Sequence, residues 1–337
     1  MCGEFGRASR RKAKCKVSHR MRFEGSLDLS IIIPTHNRSA LLKRTLEGFC
    51  RQDSGELRWE LIVVSDGSTD SSHETVMQFK DRLPVRYFSQ TKRGVSSARN
   101  LGLREARSPI VLFLDDDVIP SPQLIAEHAR FHQEQPDLES VLLGYVTWSP
   151  ELRITPFMWW YGECGGLFGF SKLQSGQPAD PRFLYTCNLS FKTEFLSRHG
   201  GFNESLTVLE DHELGYRLSK DGMKMKFLKE ALGYHYQTFT FDQACQRLSR
   251  YSSGLPAFLL TDAGKRMLKR NARISFRIAE WGVRASGPAL QLIRPLADTN
   301  IPLPNAIYRL LYWYFATHKS FWHPATKGKV TRHESRP

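Results

Sequence analysis

From Leu29 onward, short apolar runs alternate with stretches in which apolar residues recur every three or four positions. Residues 30–33 read as a buried strand stopped by Pro34. Leu41, Leu42, Leu46 and Phe49 then share one helical face behind Ser39, the expected cap. Residues 61–64 predict a second strand, with an Asp66-Gly67-Ser68 turn and a helix to about residue 80 after it. A strand at 85–88, a helix over 98–106 and a strand at 110–114 complete three βα units. That rhythm predicts an α/β fold with a mostly parallel sheet.

Past Leu114 the pattern predicts a helix around 122–135, a strand at 141–146 and an irregular stretch over 149–181, rich in Gly, Pro and aromatic residues. A strand at 184–191, a helix at 210–220 closed by Gly222, a strand at 223–228 and a helix from about Asp242 follow. The last 80 or so residues are helical in pattern, basic and aromatic. The expected organisation is a basic leader over 1–24, a globular domain over 25–254 and a basic aromatic helical region over 255–337. The globular domain divides into two halves, 29–120 and 121–254. The leader reads as disordered, and Met21 is a candidate start.

The net charge of +14 over 337 residues invites a nucleic-acid reading, which its distribution opposes. Residues 1–22 hold 8 Lys/Arg against 1 acid, and 255–337 hold 14 against 4. The middle, 23–254, holds 26 against 29, so the enzyme-like part is slightly acidic and nucleic acid is not its expected partner. The six cysteines form no C-x-x-C pair, which fits a reducing cytoplasm. No apolar run is long enough for a signal peptide or a membrane span, so the expected location is cytoplasmic, with peripheral attachment to an anionic membrane surface as one reading of the basic ends.

Open α/β sheets bind ligands at the carboxyl ends of their strands. The polar residues there are Pro34-Thr35-His36-Asn37-Arg38, Ser65-Asp66-Gly67-Ser68 and Asp115-Asp116-Asp117. Three adjacent carboxylates repel one another unless a cation is present, and Mg²⁺ or Mn²⁺ prefers oxygen ligands. The competing reading is that they cap the next turn. Asp66 either accepts hydrogen bonds from a base or ribose or makes an ordinary Asx turn. Arg99 either neutralises a phosphate or faces water. Glu210-Asp211 either includes a general base or stabilises the start of a helix through its dipole. His235, between two tyrosines, is either a ligand or a structural residue.

Taken together, Pro34-Thr35-His36-Asn37-Arg38, Val63-Val64-Ser65-Asp66-Gly67-Ser68-Thr69-Asp70, Gly94-Val95-Ser96-Ser97-Ala98-Arg99-Asn100 and Phe113-Leu114-Asp115-Asp116-Asp117 resemble glycosyltransferase family 2, inverting enzymes of the GT-A fold. Cys187-Asn188-Leu189-Ser190-Phe191, Gly200-Gly201-Phe202 and Glu210-Asp211-His212-Glu213-Leu214 resemble the acceptor side of that family. The resemblance implies Asp66 on the donor base, Asp115 on the ribose with Asp116 beside it, and Asp117 on a metal that bridges the diphosphate. It puts Pro34, Thr35 and Arg38 in the nucleotide pocket, Arg99 against base or phosphates, His235 near the metal, and Asp211 beside Glu210 as the general base. The implied reaction moves a sugar from a UDP-, GDP- or dTDP-sugar to a hydroxyl of a saccharide or lipid-linked acceptor. Two features depart from common family patterns. Ser65-Asp66 replaces a frequent Asp pair, and no Gln-x-x-Arg-Trp follows Asp211, which argues against a processive synthase.

Two alternatives remain at this stage, a non-catalytic scaffold that binds anions or membrane and a nucleotidyltransferase on a similar sheet. The aromatic stretch 156–170 offers faces for a sugar ring or a lipid, or packs on the core. The tail residues Ile307, Leu310, Leu311, Trp313, Tyr314 and Phe315, with basic 265–277, form either an interfacial helix pair or a helix docked on the catalytic domain.

Overall fold

A computed structural model of the chain describes residues 27–271 and 287–317. The leader, Met21, the basic residues 273 and 277, and Lys319 lie outside the described residues. Strand β1 (Leu29–Thr35) is buried at every position, because it is central in the sheet and covered on both faces. It leads into α1 (Ser39–Phe49), whose buried residues Leu42, Leu46 and Phe49 form the expected stripe. The expected Ser39 cap is not made. Arg38 holds the N-cap position without a side-chain cap bond, and the Ser39 N–H instead donates to Asp70 Oδ2 at 2.9 Å.

The next elements are β2 (Trp59–Asp66), α2 (Ser72–Met77), β3 (Val85–Gln90), α3 (Val95–Glu105), β4 (Ile110–Leu114) and a short β5 (Val118–Pro120). The order is completed by α4 (Leu124–Glu134), β6 (Ser140–Trp148), α5 (Pro156–Glu163), β7 (Asn188–Lys192), α6 (Thr193–Arg198), α7 (Glu210–Lys220), β8 (Lys224–His235), α8 (Phe241–Leu260) and α9 (Asp262–Asn271). Among the described residues beyond 286 lie the α-helices α10 (Gly287–Ile293) and α11 (Asn305–Thr317).

One sheet of eight strands runs β3-β2-β1-β4-β7-β6-β8-β5. The β3-β2-β1-β4 half is parallel; β7 then runs antiparallel to both β4 and β6, while β6 and β8 are parallel. This mixed, mostly parallel sheet between helices is the α/β architecture the pattern predicts, as the resemblance to the GT-A fold implies.

Three differences from the expected elements shape the site. The predicted strand over 184–191 begins only at Asn188, because residues 185–187 leave the ladder to line a cavity. The predicted strand over 223–228 continues to His235 across a bulge, with Gly144 opposite Leu228 and Tyr145 opposite Leu232. The polar Lys229-Glu230 pair in the bulge breaks the apolar run that would have revealed its length. Third, the stretch expected to be irregular contains α5, started by Thr155, whose Oγ1 accepts from Met158 N at 3.2 Å, with Pro156 in the first turn. Its run of aromatics is apolar on nearly every side, so it shows no helical stripe.

Those aromatics form a second core beside the sheet. Phe157, Trp160 and Tyr161 pack with Phe241 of α8 and with Tyr308, Leu311 and Phe315 of α11. The tail aromatics therefore dock inward, and Trp159 is left 51% exposed. No helix among the described residues is long and apolar enough to cross a membrane.

Candidate active site

The carboxyl ends of β1, β2 and β4 open onto a cavity of about 430 Å³, a size suited to a small-molecule ligand. All eleven candidate residues line it: Pro34, Thr35, Arg38, Asp66, Arg99, Asp115, Asp116, Asp117, Glu210, Asp211 and His235. They come from both 29–120 and 121–254.

Asp66 ends β2. Its carboxylate accepts from Arg93 N at 2.8 Å, Gln90 Nε2 at 2.8 Å and Gly94 N at 2.9 Å. Burial acts to raise the carboxyl, but these three donors together hold it below the ordinary carboxylate range. Gly67 and Gly94 have φ of +71° and +99°, and a Cβ on Gly67 would lie 2.8 Å from Lys92 N. Glycine at these turns lets the backbone fold around the carboxylate.

The three aspartates after β4 diverge. Asp116 points inward, where Thr35 Oγ1 donates at 2.7 Å and Arg38 Nη1 lies at 2.9 Å. Its carbonyl accepts from Thr45 Oγ1 at 2.9 Å, tying the turn to α1. Asp117 takes Arg38 Nη2 at 2.5 Å and faces His235 Nε2 at 3.6 Å, because β5 pairs Val118 with His235. Asp115, with its side chain 34% exposed, faces the cavity. Burial pushes Asp116 up to about 7 against the pull of Arg38, and it also raises Asp115. Asp117 is held low: burial opposes its charge, but His235 and Arg38 outweigh it.

On the opposite wall, Leu209 takes a left-handed conformation with φ 59° at the N-cap of α7. A bulky residue there is strained, and the strain falls where the chain turns Glu210 and Asp211 toward the cavity. Thr186 fixes Asp211 with its N–H at 3.0 Å and its hydroxyl at 2.9 Å. Arg99 sits between the two walls, only 5% exposed. Its guanidinium reaches Glu210 at 3.0 Å and Asp211 and Asp115 at 3.5 Å each. Burial, with the charge of Glu210 added, pushes Asp211 up to about 7 although Arg99 opposes it. Such a carboxylate can take a proton near neutral pH.

A divalent cation fits beside Asp117. Its Oδ1 is buried with no hydrogen-bond partner, and so is Nδ1 of His235. No three His, Cys, Asp or Glu side chains among the described residues are arranged to hold a metal on their own. Two protein ligands completed by substrate phosphates is the usual mode for Mg²⁺.

Several cavity residues went unrecognised in the sequence. Thr186 reads as strand interior, and Arg247 and Tyr251 also line the cavity, as does Phe168 of the aromatic stretch 156–170. Arg247 and Tyr251 lie one turn apart on α8, but a single Arg on an amphipathic helix looks like any solvated charge. No local signal pointed to them.

Known proteins resemble this chain in sequence and in fold. The family described as "Glycosyl transferase family 2" matches residues 30–183, and "Glycosyl transferase family group 2" matches residues 110–325. The chain belongs to glycosyltransferase family 2, whose members transfer sugars from nucleotide-sugar donors. Validoxylamine A glucosyltransferase of Streptomyces hygroscopicus subsp. limoneus is 30% identical over 302 residues, covering 77% of this chain. This chain spans 64% of that relative's length. Mannosyltransferase PcManGT from Pyrobaculum calidifontis, solved with GDP-Man and Mn²⁺, shares the fold with a TM-score of 0.59 at 19% identity, over 87% of each chain. S. aureus TarS 1-349, solved with UDP-GlcNAc, does so with a TM-score of 0.52 at 17% identity, over 86% of this chain and 90% of that one.

Proposed function

We propose that the chain transfers a sugar from a nucleoside diphosphate donor to a hydroxyl acceptor in one displacement, inverting the anomeric centre. The observation that carries this reading is Asp211, fixed by Thr186 and set across the cavity from Asp115 and Asp117. The acceptor is a saccharide or lipid-linked hydroxyl. As its oxygen attacks the anomeric carbon, the bond to the diphosphate oxygen breaks and the hydroxyl proton passes to Asp211. Asp66 and Asp115 hold base and ribose, with Pro34, Thr35 and Arg38 shaping the nucleotide pocket. Arg99 holds Glu210 and Asp211 against the donor wall.

Asp117, with His235 beside it, would hold Mg²⁺ or Mn²⁺ together with the donor phosphates. Held there, it would offset the negative charge that the leaving diphosphate gains. Support for a nucleotide donor with a metal comes from PcManGT, whose fold this chain shares and which was solved with both.

Calorimetric titration of UDP and GDP, with and without Mn²⁺ or Mg²⁺, tests the reading. Metal-dependent binding of one nucleotide is expected, and it identifies the donor base. Binding of neither under any condition would remove a UDP- or GDP-sugar donor in favour of a different donor class or a non-catalytic anion-binding protein.

A further inference from the structure

The cavity is lined by three arginines, two of which are already committed. Arg38 bridges Asp116 and Asp117, and Arg99 bridges Asp115, Glu210 and Asp211. Arg247 lines the same cavity from α8, with Tyr251 one turn further along, and has no carboxylate within ion-pair distance among the described residues. The cavity thus has an acidic wall with an uncommitted cation facing it. A bare anion between them would be repelled by Asp115 and Asp117. A diphosphate whose acidic side is screened by a cation suits both walls.

The structure spends considerable packing on holding Arg247 there. Thr240 and Gln243 cap α8 reciprocally, with bonds of 3.2 and 2.9 Å. Phe241, Ala244 and Cys245 are buried, and the Phe241 N–H donates to Asp298 Oδ1 at 2.7 Å. Phe241 in turn packs on Phe157 and Phe315. The aromatic core made by the C-terminal region is therefore what fixes α8 over the cavity.

We propose that Arg247 is a catalytic residue that binds the sugar-bearing phosphate of the donor and stabilises the leaving diphosphate. When the bond from the anomeric carbon to the β-phosphate oxygen breaks, that oxygen keeps the electron pair. Arg247 meets the new charge with N–H donors, while the proton goes to Asp211 on the other wall. This rests on the reading of the site as a nucleotide-sugar transferase.

The test is calorimetry of UDP, GDP, UMP and GMP with Mn²⁺ on the full chain, for wild type, Arg247→Met and Arg247→Lys, with thermal unfolding as a control for folding. A charged hydrogen bond lost from the β-phosphate weakens diphosphate binding about 10- to 100-fold in Arg247→Met. Monophosphate binding changes less than about 3-fold, since that nucleotide lacks the β-phosphate. Arg247→Lys, which keeps the charge and loses the fork, falls between them and provides the reading if Arg247→Met does not fold. Equal loss for diphosphate and monophosphate would overturn the proposal. So would unchanged diphosphate binding with a raised acceptor KM, which would assign Arg247 to the acceptor. If wild type binds no nucleotide, the function proposed above fails first; if wild type binds and both variants match it, only the role of Arg247 fails.

Discussion

The two walls of the cavity are built by different means. The wall proposed to hold the donor is built on strand ends: Asp66 and Asp115–Asp117 follow directly from buried parallel strands, and Thr35 and Arg38 meet Asp116 and Asp117 from the end of the neighbouring β1. The wall proposed to face the acceptor is assembled from a loop and helices instead. Asp211 depends on Thr186, Arg99 reaches it from the other half of the sheet, and α8 is held by an aromatic core shared with α11. A site of this kind is more vulnerable on the second wall, because a loss of packing far away can displace a catalytic side chain.

The largest expected effect comes from removing the proposed base. Asp211→Asn should lower kcat about 10²–10⁴-fold while nucleotide affinity stays within a few fold, measured by donor turnover and calorimetry. Equal loss of nucleotide binding would show that the two walls are not separable. The aromatic core comes next. Trp160→Ala should destabilise the fold by about 3–5 kcal/mol in chemical unfolding, because the side chain is almost fully buried. Its neighbour Trp159, 51% exposed, should change stability by less than about 1 kcal/mol when replaced by Ala. Similar losses for the two tryptophans would contradict the inward docking of the tail.

Acid stability offers a third comparison, where α4 packs against β7. His128 is fully buried between Ser190 and Asn188, and burial lowers its pKa from 6.5 to about 4. Its neutral form is the one the fold accommodates. The stability this contributes is therefore complete above pH 6.5 and lost as pH falls toward 4, on the order of 3 kcal/mol if no rearrangement intervenes. His128→Gln should flatten that part of the stability-pH curve. A wild-type curve already flat between pH 6.5 and 4 would count against it.

The smallest effect is in the rate profile. With Asp211 pushed up to about 7, kcat/KM should rise about tenfold per pH unit below 7 and level off above it. Arg99→Lys should move the midpoint, since the guanidinium opposes that shift. A rate independent of pH between 5 and 8 would rule out Asp211 as the base.

The parallel half of the sheet was readable because its strands are buried on both faces and appear as uninterrupted apolar runs, each ended by a short polar turn. The rim residues Asp66 and Asp115–Asp117 could be located for the same reason. Less legible were α5, whose aromatics leave no polar face, and β8, whose bulge is polar and conceals how His235 reaches Asp117. Thr186 was mistaken for strand interior because an apolar-rich run does not reveal where the ladder ends.

Hydrophobic order along the chain was enough to determine the α/β class, the strand ends and the residues competent for acid-base and cation chemistry, since period and turn chemistry are local. Which of those residues would be consumed in holding the site together was decided by tertiary packing. Arg38 and Arg99 are tied up by carboxylates distant in sequence, while Arg247, brought in by a helix from the far side, is left with none among the described residues. Ion pairing across a cavity depends on three-dimensional distance, which a linear pattern does not encode.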